Sequence, residues 1–483
     1  WKDGFLLAPD GQDPFPDEEH PTNIALVLKM AELLHFPPDQ ALKAMADYVV
    51  PDLGVLKVYP ETRVKGRGFV FINGMSANER FAALSNWQRL QLNKISPSEN
   101  PDIWLTTVVN NRADRIARSK VFAKMLVNDL SADTHFLIGT NTDGLRKYIE
   151  EAWEERISGL QLEATSQEER AQLKASFIQI CQYMRLVTDK EQAQQRIQAM
   201  LQGMSISEAE SVSADWQDSA ALETALGELD DSDREVILSF STRAQAEMNA
   251  YQQWCQRIAD PGQNVDADAL REQLWQWYWQ RFVVIEDIHA SGNSVIHKMV
   301  SHTPPGLCNK MIGLQNIKGT GLDFIYRWQT WDKTYKLCQQ LSSRSGKQAE
   351  NAAKELAGVS DFGLLDENLV RESCRAVRDK KISQTELFQA ELNVIESNLD
   401  AQLKKISKSL GSNNEQPGYL SGLISALESF LDPGSAVKRR KIAERIYDDL
   451  AEQRISIERA VVELQRLNKE QKGGWLRKKL TGS

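Results

Sequence analysis

Three polar turns in the first third of the chain carry residue types that could bind an anionic ligand. The residues that stand out in them are Asn73, Ser76 and Asn78 in the first turn, Asn-Asn-Arg-Ala-Asp-Arg over 110–115 in the second, and Thr140 in the third. Each turn follows a short apolar run and precedes a segment with helical periodicity. Free backbone N–H groups at helix starts and an arginine fork both suit phosphate or carboxylate. Ordinary helix caps look similar, so both interpretations stay open at this point.

Three apolar runs must position these turns. Phe69–Ile72, Trp104–Val109 and Phe136–Ile138 are rich in β-branched and aromatic residues, and each leads into a helix-period segment. Strands that alternate with helices predict βαβ units and a parallel, Rossmann-like α/β sheet. In such a sheet the three turns lie together at the carboxyl ends of the strands, where ligands bind.

Local capping patterns predict how two of the helices begin. Ser76, followed three residues later by Glu79, predicts a capping box. Asp114 is the predicted N-cap of the helix after the second turn.

The pieces FINGMSANE, TTVVNNRADR and FLIGTN resemble the C-terminal domain of the Mur ligase superfamily. Within that superfamily they are most similar to the ligase subunit of capsular poly-γ-glutamate synthases. The most specific motif is the Asn-Asn-Arg-x-Asp-Arg turn at 110–115. The upstream segment 20–45 resembles the helix pair that closes the superfamily's central domain, and PDLG resembles its hinge, with Leu53 in place of a proline. The resemblance covers roughly the first 150 residues.

This resemblance implies an ATP-dependent carboxylate–amine ligase that adds glutamate through an acyl-phosphate. The nucleotide- or substrate-binding residues that it implies are Asn23, Asn73, Ser76, Asn78, Asn111, Arg112, Asp114, Arg115 and Thr140. Asn23 has an alternative role as a helix cap. The implied cofactors are ATP and Mg²⁺. No G-x-x-x-x-G-K-[ST] sequence occurs in the chain, so the P-loop, most Mg²⁺ ligands and the catalytic residues are expected upstream of Trp1, and no metal site is predicted here.

Composition narrows the classes of partner and compartment. The 483 residues carry a net charge of −9, which argues against a nucleic-acid partner. The five cysteines are widely spaced without a Cys-x-x-Cys pair, which fits a reducing compartment. No apolar run is long enough to span a bilayer, so we expect a cytoplasmic protein. A basic tail around Arg477 is either an ordinary basic helix end or, as the resemblance favours, a contact with the inner face of the membrane.

The composition along the chain predicts four parts. Residues 1–60 are expected to end the central ATPase domain and form the hinge, and 61–149 to form the Mur-ligase-type α/β domain. Residues 150–410 are expected to form a large all-α helical domain, and 411–483 to form C-terminal helices with the basic tail. Within the third part, 289–331 reads either as an anion-binding loop or as an irregular helix–helix junction, and we favour the junction.

Two functions from different classes fit this organisation. The first is the C-terminal part of a ligase of the poly-γ-glutamate synthase type. Its partners would be ATP, glutamate or polyglutamate, membrane-protein synthase subunits and further copies of the chain. The alternative is a non-catalytic helical interaction or assembly module on a Mur-like scaffold.

Overall fold

One sheet of seven strands organises the fold in the computed structural model. The structure describes residues 21–48, 54–160, 164, 166–206, 208–227, 229–288, 290, 292–343, 345–359, 362, 367–378 and 386–410. The strands are β1 (Lys57–Val58), β2 (Thr62–Val64), β3 (Arg67–Asn73), β4 (Ile103–Asn111), β5 (Thr134–Gly139), β6 (Phe282–Val284) and β7 (Cys308–Leu314). The predicted runs at 69–72, 104–109 and 136–138 lie within β3, β4 and β5, which confirms these three strands.

The sheet is mostly parallel. The parallel strands follow the order β3-β7-β4-β5-β6, and the short strands β1 and β2 pair with β3 in the antiparallel direction. Nearly every residue of β4 and β5 is buried, because helices cover both faces of the sheet. The predicted α/β class with a parallel sheet is therefore confirmed.

The strand β7 comes from a part of the sequence that was expected to be helical. It pairs with β3 from Gly68 to Asn73 and with β4 from Ile103 to Val109, which puts it inside the sheet. The strand β6 extends the sheet beside β5. The expectation of an all-α region after residue 150 is wrong at these two strands, and so is the helix–helix junction favoured for the segment that contains β7. Local sequence missed β7 because its partners are distant in the chain.

Helices make up most of the remaining described residues. The helices before β6 are α1 (Pro21–Leu33), α2 (Pro38–Tyr48), α3 (Arg80–Arg89), α4 (Ile116–Asn128), α5 (Thr142–Ser158), α6 (Gln167–Tyr183), α7 (Lys190–Gly203), α8 (Ala209–Ala214), α9 (Ser219–Ala225), α10 (Asp231–Ala259) and α11 (Ala267–Trp279). The later helices are α12 (Gly292–His302), α13 (Thr320–Leu341), α14 (Gly346–Ala357), α15 (Glu367–Arg378) and α16 (Glu386–Leu410). A short 3₁₀ turn covers Leu92–Lys94.

Two apolar cores lie on opposite faces of the sheet. On one face, side chains of α3, α4 and α5 such as Phe122 and Trp153 pack with Ile72 of β3. On the other face, side chains of α12 and α13 such as Trp328 pack with Phe71. Successive strand residues point to opposite faces, which separates Phe71 from Ile72. The helices that follow β3 and β4 thus lie on the face opposite to the helix that follows β7.

Several predictions fall outside the described residues. These are the segment 1–20, the hinge residues 49–53 and the whole of 411–483 with its basic tail. Among the helices that are described, none is both long and apolar enough to cross a membrane.

Candidate functional site

The turns after β3, β7, β4 and β5 meet at the carboxyl edge of the sheet, which we call the turn site (residues 73–78, 110–118, 139–141 and 315–321). The chain leaves β3 and β4 toward one face and leaves β7 toward the other. Adjacent parallel strands whose connections diverge in this way open a crevice between them, which is the usual ligand position in open α/β sheets. The turns after β3, β4 and β5 are those predicted from sequence. The turn after β7 lies in the segment 289–331, for which an anion-binding loop was the less favoured of the two interpretations.

Asn111 holds three of these turns together. Its side chain is buried, and its Nδ2 donates to the carbonyl oxygens of Thr140 at 2.9 Å and Asn141 at 3.0 Å. Its Oδ1 accepts from Ser119 Oγ at 2.7 Å and from Gln315 Nε2 at 2.8 Å. These bonds use the full donor and acceptor capacity of the amide. In this structure Asn111 positions the turns, and its contact with a nucleotide or acceptor stays a prediction.

Asn110 fastens the turn after β7. Its Nδ2 donates to the carbonyl oxygens of Asn316 at 2.6 Å and Lys318 at 2.8 Å. A Cβ atom at Gly321 would lie 2.3 Å from this nitrogen, so the close approach requires glycine. Asn110 and Asn111 point to opposite faces of β4, which is why one strand end reaches both sides of the crevice.

Three buried amide atoms beside this turn lack a partner. Within the described part of the chain, Asn110 Oδ1, Gln315 Oε1 and Asn316 Nδ2 make no hydrogen bond. Gln315 also has a backbone φ of 79°, a left-handed conformation that a residue with a side chain adopts at some cost. Buried polar groups without a partner mark places where a bound water or ligand supplies the missing bond.

Arg112, the residue with the most specific predicted role, is held by its neighbour. Its Nε and Nη2 donate to the two oxygens of Asp114 at 2.9 and 2.8 Å, and Arg115 Nε lies 3.5 Å from the same carboxylate. The predicted N-cap at Asp114 is wrong, because α4 begins after Arg115 and the Asp114 carboxylate is turned to the Arg112 fork. The pair is partly exposed at the rim of the turn site.

A third arginine, Arg118, was missed by sequence reasoning. Burial lowers the pKa of Arg118, and the positive charges of Arg115 and Arg112 lower it further. Asp114 pairs with Arg112 and Arg115, and Glu79 is a second carboxylate near Arg118. The rim of the turn site therefore carries an excess of positive charge that suits an anion. The signal in the sequence was an arginine one helical turn beyond the motif.

The first turn brings Asn73 to the turn site and leaves Asn78 at the surface. Asn73 is buried at the end of β3, and its Oδ1 accepts from the backbone N–H of Met75 at 3.4 Å. Asn78 is exposed. Asn73 thus shapes the turn, whereas the Asn78 amide is accessible to a ligand.

The predicted capping box at Ser76 is wrong. Ser76 Oγ donates to the carbonyl oxygen of Gly54, which joins the turn to the segment before β1. The helix α3 begins later, with Glu79 as an N-cap that makes no side-chain capping bond. The Ser76 side chain therefore stabilises the turn and does not cap the helix.

The third turn requires a glycine where it leaves β5. Gly139 has a φ of 94°, and a Cβ atom there would lie 2.3 Å from the carbonyl oxygen of Asn111. The following Thr140 accepts a hydrogen bond on Oγ1 from the backbone N–H of Ala113 at 2.9 Å. Thr140 therefore ties the third turn to the second, as its predicted place at the same site requires.

Two other predictions have a limited structural outcome. Asn23 lies in α1 (Pro21–Leu33), and its side chain is outside the described atoms. The described residues contain no cluster of three or more His, Cys, Asp or Glu that could hold a metal ion. We therefore name no Mg²⁺ ligand in the turn site.

Comparisons with known proteins agree with the motifs. Residues 58–201 match the family model of the poly-gamma-glutamate synthase CapB C-terminal domain. The chain is 32% identical over 132 residues to the PGA synthase CapB of Bacillus subtilis (strain 168), an alignment that covers 27% of this chain and 32% of that protein. The chain thus spans about a third of the length of this curated relative. No solved structure matches the chain.

The matched region contains β3, β4 and β5 with their three turns, and it stops before β6 and β7. It begins after the helix pair α1 and α2, so their resemblance to a central domain stays a prediction. Residues 58–201 therefore resemble the C-terminal part of a poly-γ-glutamate synthase, as the sequence motifs predicted.

Proposed function

We propose that this chain works as the C-terminal part of an ATP-dependent amide ligase of the poly-γ-glutamate synthase type. One observation carries the proposal: the region similar to the CapB C-terminal domain contains the three turns that meet at the carboxyl edge of the sheet. Similarity and geometry thus point to the same residues. The proposed substrates are ATP, glutamate and the growing polyglutamate chain.

The proposed chemistry has two steps. A terminal carboxylate of the acceptor takes the γ-phosphoryl group of ATP, which forms an acyl-phosphate and releases ADP. The nitrogen of an incoming glutamate, after losing a proton, attacks the acyl carbon. A C–N bond forms, the C–O bond to phosphate breaks and phosphate leaves. A carboxylate needs this activation because its own oxygen is a poor leaving group.

Every reactant in this scheme is an anion, and the rim of the turn site is positive. Arg112, Arg115 and Arg118 would bind phosphate or carboxylate oxygens, since guanidinium forks match both groups. Arg112 would exchange its Asp114 partner for the ligand. Asn110 and Asn111 would act as positioning residues that keep the strand ends and the turn after β7 in place. The turn after β7 adds buried, unpartnered amide atoms beside the crevice.

ATP and Mg²⁺ are proposals that rest on the reaction class. The arginine rim and the exposed Asn78 fit phosphate oxygens, so the turn site can contribute to binding the nucleotide. When bound, Mg²⁺ would neutralise phosphate charge. The location at the inner face of the membrane is also a proposal. So are the partners, which are membrane-protein synthase subunits and further copies of the chain.

ATP turnover that depends on glutamate tests the proposal. We expect the complete gene product to release ADP when glutamate and an acceptor are present. Arg112→Ala should lower kcat/KM by roughly 10- to 100-fold, because it removes a charged hydrogen-bonding group worth about 1.5–3 kcal/mol. The exposed Arg271→Ala on α11, which loses only a surface ion pair with Asp268, is the matched control.

Two results would contradict the proposal. One is a complete gene product that unfolds cooperatively, as a folded protein does, yet turns over no ATP with glutamate. The other is an Arg112→Ala variant that is as active as Arg271→Ala, which would remove the turn site from the reaction.

One observation favours the alternative of an interaction module. The helix α1 and the turn after it leave large apolar side chains exposed, namely Leu26, Met30, Leu33, Leu34 and Phe36. An apolar surface of this kind usually contacts another protein surface. Two results together would favour this alternative. The complete gene product would show no ATP turnover with glutamate, and charged substitutions at these positions would abolish binding to a partner protein.

A further inference from the structure

A second charged pocket lies at the opposite, amino edge of the sheet. It is lined by the side chains of Arg185, Arg196, Arg243, Arg281, Asp133 and Glu247. Asp133 directly precedes β5, and Arg281 precedes β6, which places the pocket at the amino ends of the strands. Its cavity volume is about 20 Å³, so only a small group fits inside it. We call it the arginine pocket.

Both carboxylate oxygens of Asp133 accept hydrogen bonds inside this pocket. Its Oδ2 accepts from Arg185 Nη1 at 2.9 Å and from the backbone N–H of Leu105 at 2.8 Å. Its Oδ1 accepts from Arg196 Nη2 at 3.0 Å. Burial alone would raise the pKa of Asp133, but the two arginines and the N–H bond hold that pKa below its ordinary value. The carboxylate therefore stays ionised and balances only part of the positive charge.

Glu247 is committed in the same way. Its Oε1 accepts from Arg281 Nη2 at 2.9 Å, and its Oε2 accepts from the backbone N–H of Val187 at 3.1 Å. Arg243 Nε lies 3.9 Å from Glu247 Oε1, beyond hydrogen-bonding distance. Within the described residues Arg243 has this ion pair and a contact with the Phe240 ring, and no hydrogen bond.

The charges in the arginine pocket do not balance. Four arginines and two carboxylates line the pocket, and Asp102 is a third carboxylate near Arg196. The other hydrogen-bond partners of Arg185 and Arg196 are neutral oxygens such as the carbonyls of Ile95 and Pro101. Uncompensated charge in a poorly hydrated site is costly, so an additional anion would be stabilised there. Burial lowers the pKa of Arg243, and the nearby Arg281 and Arg196 lower it further.

Arg243 is the arginine of this pocket whose N–H groups make no hydrogen bond within the described residues. Its side chain is 39% accessible, so part of it faces solvent, while its charge lies near Glu247, Arg281 and Asp133. The buried forks of Arg185, Arg196 and Arg281 are 3–5% accessible and are already bonded to protein atoms. The pocket thus combines buried arginines that are bonded to protein atoms with one arginine side chain that is partly exposed to solvent.

We propose that the arginine pocket binds a small oxyanion, a carboxylate or phosphate group, through Arg243 and the surplus positive charge behind it. This site is separate from the turn site, and the proposal does not depend on the ligase activity. A carboxylate of a glutamate polymer and a free phosphate are two sources of the same chemistry.

Anion titration of the full chain tests the proposal. Sodium phosphate, sodium acetate and poly-γ-glutamate would be titrated at constant ionic strength, with chloride as the balancing ion, while binding heat and the unfolding temperature are recorded. We expect saturable binding and a rise in the unfolding temperature with at least one of the three. Arg243→Gln should weaken this binding at least tenfold, whereas Arg243→Lys, which keeps the charge, should weaken it less.

Two controls locate the effect. Arg257→Gln makes the same charge change on the same helix, α10, outside the pocket, and should bind like the unmodified chain. Arg112→Ala should weaken any anion binding at the proposed turn site, so binding that survives in this variant and disappears with Arg243→Gln belongs to the arginine pocket. Preference for phosphate over acetate and poly-γ-glutamate, or the reverse, identifies the source of the anion.

The proposal is overturned by either of two results. One is the absence of saturable binding by phosphate, acetate and poly-γ-glutamate. The other is equal affinity in Arg243→Gln and Arg257→Gln. Arg243 makes no hydrogen bond to the rest of the described structure, and Arg243→Lys gives a second variant that keeps a positive charge beside Glu247.

Discussion

The two ends of one parallel sheet carry opposite arrangements of charge. At the carboxyl edge the buried polar groups are neutral amides, Asn110 and Asn111, while the arginines lie at the rim. At the amino edge the arginines themselves are buried and are bonded to Asp133 and Glu247. Neutral amides fix geometry at little desolvation cost, which leaves the charges of the carboxyl edge available to a ligand. Buried charges instead require partners, and so they connect distant parts of the chain.

Those connections join the inserted helices to the sheet. Arg196 belongs to α7 and Glu247 to α10, both within the long insertion between β5 and β6. Arg196 reaches Asp133 before β5, and Glu247 reaches Arg281 before β6. The sequence between 150 and 281 is therefore attached to the α/β part by charge as well as by apolar packing.

Breaking the amino edge should have the largest effect on stability. Asp133→Asn removes a buried charge that two arginines share, and we expect the free energy of unfolding to fall by about 3–5 kcal/mol. Urea denaturation measures this loss. Asp129→Asn removes a carboxylate paired with the exposed Arg80 and should cost at most about 1 kcal/mol. Equal losses in the two variants would show that the arginine pocket contributes little to stability.

Breaking the carboxyl edge should have a smaller effect on stability. Gly139→Ala combines a left-handed φ with a Cβ that would lie 2.3 Å from a backbone oxygen, and we expect a loss of about 3 kcal/mol. Gly66→Ala has a similar φ of 70° and no atom within 4 Å of its Cβ, so it should cost about 1 kcal/mol. Denaturant unfolding of both variants measures the two costs separately. Gly66→Ala carries only the cost of the left-handed φ, whereas Gly139→Ala also carries that of the contact with the backbone oxygen. If they lose the same free energy, the third turn tolerates a side chain.

The stability of the protein should depend on pH through His135, which lies near the amino edge of the sheet. Burial, with a smaller contribution from Arg185, lowers the pKa of His135 to about 3, below its value of about 6.5 in the unfolded chain. The unfolded chain therefore binds a proton that the folded chain does not, and stability falls as the pH drops from 6.5 toward 3. Between pH 7 and pH 5 this group should lower the free energy of unfolding by about 2 kcal/mol.

His135→Gln measures that contribution by difference. The variant should lose about 2 kcal/mol less than the unmodified chain between pH 7 and pH 5, whatever its stability at pH 7. Denaturant unfolding at the two pH values gives both quantities. If the variant and the unmodified chain lose the same free energy of unfolding between pH 7 and pH 5, His135 is protonated in the folded protein or is accessible to water.

The strands β3, β4 and β5 were predictable because each is a continuous apolar run before a helix, a pattern that needs no information from elsewhere in the chain. The helix starts were less predictable. Asp114 and Ser76 are good capping residues by type, but Asp114 is bonded to Arg112 and Ser76 to Gly54. A polar side chain has several partners within reach, and the tertiary structure selects among them.

The site was predictable to the same extent. The three turns and Arg112 followed from local sequence and from the resemblance, whereas Arg118 and the turn after β7 did not. The side chain of Asn110 meets Asn316, 206 positions further along the chain. Local periodicity cannot report a contact over that distance, and β7 has only the length and composition of a short apolar segment.

The sequence by itself determined the α/β class, three parallel strands, their turns at one edge and the similarity to a CapB C-terminal domain. These properties depend on short-range patterns and motifs. Only the tertiary structure decided that β7 lies between β3 and β4, that Asn111 is spent on holding turns, and that four arginines meet at the amino edge. Each of these depends on hydrogen bonds or charges between segments far apart in the chain, and such partners are chosen only when the whole fold brings them together.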